Sequence, residues 1–443
     1  MLTDSDATIA AIATPAGRGG VGVVRVSGSA ARRLLCTVTQ RSSPPAPRSA
    51  VLASWYDAQG EVLDRGLVLC CTAPHSYTGE DVVEFHGHGN PVLLRALLAR
   101  LYELGCRPAE PGEFTRRAVA NGKIDLTQAE AVAACIDAAT LRAGKQALRQ
   151  LDGAFGRRIT QLMDCLTTQV AHLEACLDFP EEEIPPLFFA ELAAEIEQQL
   201  LAPLDQLLAS APLGERLFDG AVVAIIGAPN VGKSSLMNHL CGRDRAIVSE
   251  IAGTTRDVLE VDFEVNGIPV RLADTAGLRD CDDRIEQEGV RRAEQMAAQA
   301  DLTIFVADAT RPESWACPLA ADLLLMNKVD QPHDRAQLPA QFLPISVQDG
   351  SGLDRLMDRL AELLGDQAVA DEGVLVTRER HRLILEAVRE QIRRGVAALG
   401  SEAELDLVAM EWRYAWSQLG SMLGIGDVEE ILDRVFAEFC IGK

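Results

Sequence analysis

The spacing of apolar residues changes three times along the chain, and each change marks a different kind of element. Over residues 1–118, short apolar runs at 21–26, 66–71 and 82–85 predict strands, and a longer run with helical spacing at 91–104 predicts a helix. From residue 119 the texture is Ala/Leu-rich with helical spacing, and Thr127-Gln128-Ala129-Glu130 reads as a capping box at its head. That pattern runs to about residue 217, interrupted at 179–186, where a charge run and prolines stop a helix. Between about 217 and 375, apolar strands alternate with helical runs. The strands are 222–226, a hairpin over 263–272 turned by Asn266-Gly267, then 302–307, 323–326 and 342–345. Helical spacing returns at 378–399, 403–423 and 427–439.

This order predicts a multi-domain α/β plus α chain. A mixed α/β N-terminal domain occupies 1–118. A helical domain, discontinuous in sequence, takes 119–216 and 376–443. A doubly wound α/β domain at 217–375 is inserted between its two parts. The 443 residues give each enough chain for a core.

Candidate chemistry begins at Gly227-Ala228-Pro229-Asn230-Val231-Gly232-Lys233-Ser234, which follows an apolar strand and precedes a helical run from Ser235. This is the phosphate-binding P-loop pattern. Its glycines let successive N–H groups turn toward phosphate oxygens, and the following helix adds its positive end. Lys233 is expected on the β- and γ-phosphates, and Ser234 on Mg²⁺. Four more stretches follow in the order a guanine-nucleotide switch needs. Thr255, in Gly253-Thr254-Thr255-Arg256-Asp257, closes over Mg²⁺. Asp274-Thr275-Ala276-Gly277 supplies a Mg²⁺-side carboxylate and a γ-phosphate N–H. Asp330 of Asn327-Lys328-Val329-Asp330 accepts from guanine N1–H and its amino group, donors that adenine lacks. Ser346 ends the last base-contacting loop, where Val347 replaces the usual Ala. Leu278 stands where small GTPases carry a water-orienting glutamine, so the acidic run 280–288 is expected to provide a catalytic carboxylate.

Other features subtract from the picture. Gly17-Arg18-Gly19-Gly20-Val21-Gly22 has the form of a dinucleotide motif but is followed by a strand pattern. His86 and His88 have no evident third ligand and read as strand polar residues. The formal charge of −23 argues against a broad nucleic-acid surface, so any RNA contact needs a local patch or a basic partner. Eleven cysteines without a C-x-x-C pair suit a reducing compartment. An acidic N-terminus and no apolar stretch of membrane length point to the cytoplasm. Cys440-Ile441-Gly442-Lys443 has the outline of a prenylation box, but its terminal Lys and acidic flank argue against one.

Several stretches together carry a family resemblance: 14–22, Tyr77-Thr78-Gly79-Glu80-Asp81, 107–115, Asp125-Leu126-Thr127-Gln128-Ala129-Glu130-Ala131, the nucleotide motifs and the terminal 439–443. The chain resembles the MnmE (TrmE) family along its whole length. The resemblance implies a Ras-like G domain, a folate-binding N-terminal domain that forms homodimers, and GTP hydrolysis in modifying C5 of wobble uridine 34 of tRNA with an aminomethyl or carboxymethylaminomethyl group. It implies a FAD- and NADH-dependent partner of the GidA (MnmG) family in a heterotetramer, with tRNA met mainly through that complex. The implied one-carbon donor is a 5-formyl or 5,10-methylene tetrahydrofolate, held by Arg25, Glu84, Lys123 and Lys443. The resemblance also implies K⁺ at Asn230, Ser249, Ile251 and Thr254, and Glu286 as the catalytic carboxylate. GTP would be contacted by Asn230 to Ser235, by Ser249, Thr254 and Thr255, by Asp274 to Gly277, by Asn327, Lys328 and Asp330, and by Ser346. A regulatory GTPase of ribosome assembly or stress, without folate chemistry, is the alternative; folate retention separates the two.

Overall fold

The computed structural model describes residues 7–178, 186–243, 261–274, 298–317, 319–332, 338–365, 373, 375–399, 405–426, 428–437 and 439–442. The chain divides into two compact units. One comprises Met1–Ala133, Gln150–Met163 and Trp416–Lys443; the other comprises Ala134–Arg149 and Asp164–Ala415.

The first unit is built on a six-stranded sheet of β1 (Ile9–Ile12), β2 (Gly19–Ser27), β3 (Ala50–Tyr56), β4 (Val62–Cys71), β5 (Val82–Gly89) and β6 (Arg107–Pro108), in the order β3-β4-β5-β2-β1-β6. All neighbours are antiparallel except β1 and β6. Alternation sets the faces. Val24 and Val26 of β2 and Val83 and Phe85 of β5 enter a core with Leu34, Leu35, Trp55, Leu97 and Leu101. The residues between them, Arg25 on β2 and Glu84 and His86 on β5, share the opposite face. Two helices, Ala31–Thr39 and Pro91–Glu103, supply the leucines; the second starts with Asn90 Oδ1 accepting from Val92 N–H and a proline in its first turn.

The capping box at the head of the helix Leu126–Asp137 lies in a different frame from the expected one. Asp125 Oδ1 accepts from Gln128 N–H at 2.8 Å, and Gln128 Oε1 accepts from Asp125 N–H at 3.0 Å. Asp-x-x-Gln therefore closes the reciprocal pair, and Thr127 donates to Asp125 Oδ1 at 2.6 Å. Two overlapping frames satisfy the same pattern, and the aspartate, one residue before the helix, is the one in cap position.

The second unit carries a Ras-like doubly wound sheet: β7 (Ala221–Ile226), β8 (Val261–Val265), β9 (Ile268–Asp274), β10 (Leu302–Asp308), β11 (Leu323–Asn327) and β12 (Leu343–Pro344), in the order β12-β11-β10-β7-β9-β8. Only β8 runs antiparallel, because the two-residue turn Asn266-Gly267 reverses the chain, with φ of 48° and 85°. Every residue of central β10 is buried, as expected for a parallel strand covered on both faces. Within the same unit, Thr140 Oγ1 donates to Gly267 O at 2.7 Å and Arg142 to Asn266 O at 2.8 Å, so a helical segment holds the hairpin turn. The helices Ala202–Asp219 and Glu379–Ala398 are joined by Arg382 to Glu215 at 2.9 Å and by Arg389 and Arg393 to Asp205, both at 3.1 Å. Among the described residues, no helix is long and apolar enough to cross a membrane.

Candidate functional site

Strand β7 ends in the P-loop, and the helix Lys233–Arg243 begins inside it. The loop needs conformations that side chains resist. Gly227 has φ 148° and Gly232 φ 102°, and a Cβ on either would run into Val306 O or Asn327 Nδ2 respectively. Asn230 takes φ 65°, a region Asn tolerates better than most residues. Lys233 is buried and donates to Gly227 O at 2.8 Å and Ala228 O at 3.0 Å. Its ammonium is thus already curled back over the loop whose N–H groups a phosphate would meet. The fit to a nucleotide triphosphate is that of an anion cradle with a cation at its centre.

β11 and β12, separated from β7 by β10, bring the residues expected to meet the base to this loop. Asn327 ends β11 and donates through Nδ2 to Val231 O at 2.9 Å, while its Oδ1 accepts from Val347 N–H at 3.3 Å. Lys328, at φ 63°, donates to Asn230 O at 2.8 Å. Ser346 is buried and donates to Asp330 Oδ1 at 2.6 Å, leaving the rest of an exposed carboxylate facing outward. Ser346 Oγ also accepts from Asp349 N–H at 3.3 Å, so the loop is closed although Val347 replaces the usual Ala. Asn230, Val231, Gly232, Lys233, Asn327, Lys328, Asp330 and Ser346 therefore form one connected loop cluster, and Ser234 and Ser235 follow in the first turn of the helix. Asp274 ends β9, which pairs in parallel with β7. Ser249, Ile251, Thr254, Thr255, Thr275, Ala276, Gly277, Glu286 and the terminal Lys443 lie outside the described residues.

A second polar site lies on the first unit's sheet. Arg25 and Glu84 are register partners on β2 and β5, and Arg25 Nε donates to Glu84 Oε1 at 2.9 Å. The Arg25 guanidinium lies 5.6 Å from the ring centroids of both Tyr77 and Phe114. His86 Nε2 is 3.0 Å from the other Glu84 oxygen, and His88 Nδ1 is 2.7 Å from Asp64. The C-terminal segment reaches the same place: Ile441 bridges to Pro111, and Gly442 O accepts from Arg25 at 3.5 Å. Lys123 donates to Pro74 O at 2.8 Å. Burial pushes the Tyr77 phenol above its ordinary pKa, with Thr115 and Arg25 offsetting part of the rise.

Beside this site lies a charged network centred on the buried Glu113 and Arg117. Glu113 accepts from Arg107 through both oxygens, from Arg117 at 2.9 Å and from Glu110 N–H at 2.9 Å. Arg117 also donates to Glu80 at 3.0 and 3.1 Å, and Glu80 accepts from Ser27 at 2.6 Å. Glu80 comes from the stretch 77–81, and Arg107, Glu110 and Glu113 from 107–115; Arg117, two residues beyond, joins Glu113 to Glu80 and so holds the loop carrying Tyr77.

The family described as "MnmE helical domain" matches residues 126–440, and "GTP-binding protein TrmE N-terminus" matches residues 8–123. The "tRNA modification GTPase MnmE" of Paramagnetospirillum magneticum is 45% identical over 446 residues, covering 98% of this chain and 99% of that protein. That of Parvibaculum lavamentivorans is 46% identical over 444 residues, with 98% and 100% covered. The chain belongs to the MnmE family of tRNA modification GTPases. A third MnmE protein, from Methylococcus capsulatus, is 42% identical over 447 residues.

In this MnmE-family chain, packing brings to the sites further residues that no motif marks for that role. Tyr77 and Phe114 lie against Arg25, His86 completes the contacts of Glu84, and Asp308 holds Lys328. The aromatic residues stood in quoted motifs, but nothing in their spacing says that two distant rings meet one arginine.

Proposed function

We propose that this MnmE-family GTPase hydrolyses GTP to drive C5 modification of tRNA uridine 34, adding an aminomethyl or carboxymethylaminomethyl group. The observation that carries the nucleotide half is the buried Lys233 seated on the P-loop carbonyls, with Asn327 and Lys328 hydrogen-bonded to the same loop. In this reading Lys233 binds the β- and γ-phosphates, Ser234 and Thr255 hold Mg²⁺, and Asp330 selects guanine. Bound Mg²⁺ and K⁺ supply positive charge to the phosphate oxygens. Asn230 suits a K⁺ ligand: its main-chain oxygen is taken by Lys328, while its side chain is exposed. Ser249, Ile251 and Thr254 would complete that set, and Glu286 would orient the attacking water.

The N-terminal half of the proposal is a tetrahydrofolate site at Arg25, Glu84, Lys123 and Lys443, on the 5-formyl or 5,10-methylene form. The support is a guanidinium against two aromatic rings and beside a carboxylate, a set able to hold a flat, polar-edged ring system. The same sheet face supports the homodimer. Val23, His86, Leu67 and Leu52 are successive cross-strand partners, and Leu52 and Leu67 are 72% and 45% exposed. The flavoprotein of the GidA (MnmG) family would supply FAD/NADH chemistry, and with a net charge of −23 this chain would meet tRNA mainly through that cytoplasmic complex.

Steady-state hydrolysis in matched KCl and NaCl tests the cation and the carboxylate together. The reading expects fast turnover in K⁺, slow turnover in Na⁺, loss of the difference in Asn230→Ala, and in Glu286→Ala a lower kcat with little change in GTP affinity. Equal wild-type rates in the two salts would remove K⁺ from the mechanism.

A further inference from the structure

Asp308 ends β10, in register with Asn327 on β11. It is fully buried, and every polar atom it owns is engaged. Its N–H donates to Ser314 Oγ at 3.0 Å, and its carbonyl accepts from Trp315 Nε1 at 2.8 Å. Oδ1 accepts from Thr310 N–H at 2.9 Å and from Thr310 Oγ1 at 2.7 Å. Oδ2 accepts from Lys328 Nζ at 2.7 Å. The same ammonium donates to Asn230 O in the P-loop, so one lysine ties the base-side loop to the phosphate-side loop.

We infer that Asp308 is the positioning residue that fixes Lys328 across the nucleotide site and thereby sets how tightly a guanine nucleotide is held. This rests on the reading of Lys328 as part of the base-binding loop. A lysine side chain alone samples many rotamers. Here its backbone sits at φ 63°, a conformation most residues avoid, and its Nζ is drawn to one point by a carboxylate that cannot itself turn. An ammonium has three donors, and two are directed by Asp308 and Asn230. The stem of Lys328 is therefore stretched over the loop as a rigid platform before any nucleotide arrives, which lowers the ordering cost of binding.

The carboxylate is needed specifically. An asparagine at 308 turns one oxygen into an NH₂ group. Facing Lys328, that group opposes an ammonium; facing Thr310, it opposes a main-chain N–H. Neither rotamer satisfies both sides. Burial pushes the Asp308 carboxyl up, but Lys328 and the two Thr310 donors outweigh it and hold it below the usual carboxylate range, so the charge persists near neutral pH.

The test is the dissociation rate and affinity of a fluorescent GDP analogue and of GTP on the full chain, for wild type, Asp308→Asn, Lys328→Met and the double variant. Losing one charge-assisted hydrogen bond predicts about 10- to 100-fold weaker binding in Asp308→Asn. The loss should appear as faster dissociation and a higher KM, with a smaller change in kcat. Because Asp308 acts through Lys328, the double variant should bind within about twofold of Lys328→Met, a coupling that a general loss of stability would not produce. The Lys328→Met and double variants also keep the test alive where Asp308→Asn fails to fold, since the double variant removes both members of the pair. Wild-type affinity in Asp308→Asn, or a further tenfold loss on adding it to Lys328→Met, would overturn the inference. Failure of the guanine reading would show separately, as equal wild-type affinity for GTP and ATP.

Discussion

Glu113→Gln should destabilise the first unit more than any nearby surface change. Glu113 is 6% exposed and takes four donors: Arg107 twice, Arg117 and the Glu110 N–H. A glutamine keeps the shape but offers one oxygen and one NH₂, and that NH₂ meets a guanidinium on either side. Breaking one member of a buried charged set costs about 3–5 kcal/mol. At about 2–4 °C per kcal/mol for a unit of this size, the melting transition should fall by on the order of 10 °C. The effect depends on pH with a definite sign. Burial raises the Glu113 carboxyl pKa, but Arg107, the Glu110 N–H and Arg117 more than reverse this and hold it below its ordinary value. The unfolded chain then takes up its proton at a higher pH than the folded chain. The stabilisation is complete above about pH 4.5 and is lost as pH falls through the folded value. Differential scanning calorimetry of both proteins at pH 7 and at steps below pH 4.5 measures this. Equal transitions at pH 7, or a gap that stays constant into the acid range, would mean that the Glu113 charge does not hold this unit together.

Two further outcomes follow from the sites. Asp330→Asn should weaken GTP binding by about two orders of magnitude and shift preference to xanthosine triphosphate, because the new amide donates where the carboxylate accepted; isothermal titration with GTP, ATP and XTP reads it. Arg25→Ala should abolish saturable binding of formyl-tetrahydrofolate in equilibrium dialysis while leaving GTP affinity intact, and retained folate binding would move the site elsewhere.

Much of the second unit was legible because its chemistry is local in sequence. The P-loop, the Asn266-Gly267 turn and the strands at 302–307 and 323–326 are each a run with one dominant pattern, and they lie in β7 to β11. The first unit was harder. β1 is Ile-Ala-Ala-Ile, whose alanines carry no strand preference, and β3, Ala50–Tyr56, alternates too weakly to stand out. The cap at Asp125 was misassigned because Asp-x-x-Gln and Thr-x-x-Glu overlap. The Glu113 network could not be seen at all: a sequence reader expects Glu and Arg at the surface, and only the packing of 77–81 against 107–117 buries them together. Asp308 was hidden for a related reason. A strand-ending aspartate reads as the start of a loop until its partner, 20 residues on, is placed beside it.

On the proposal above, GTP turnover by this chain serves modification of uridine 34. Mass spectrometry of tRNA nucleosides tests it most directly, in a strain deleted for this protein and complemented with wild type or with Lys233→Ala. The C5 substituent should disappear on deletion, return with wild type and stay absent with Lys233→Ala. Unchanged nucleosides in the deletion strain, or full restoration by Lys233→Ala, would contradict it.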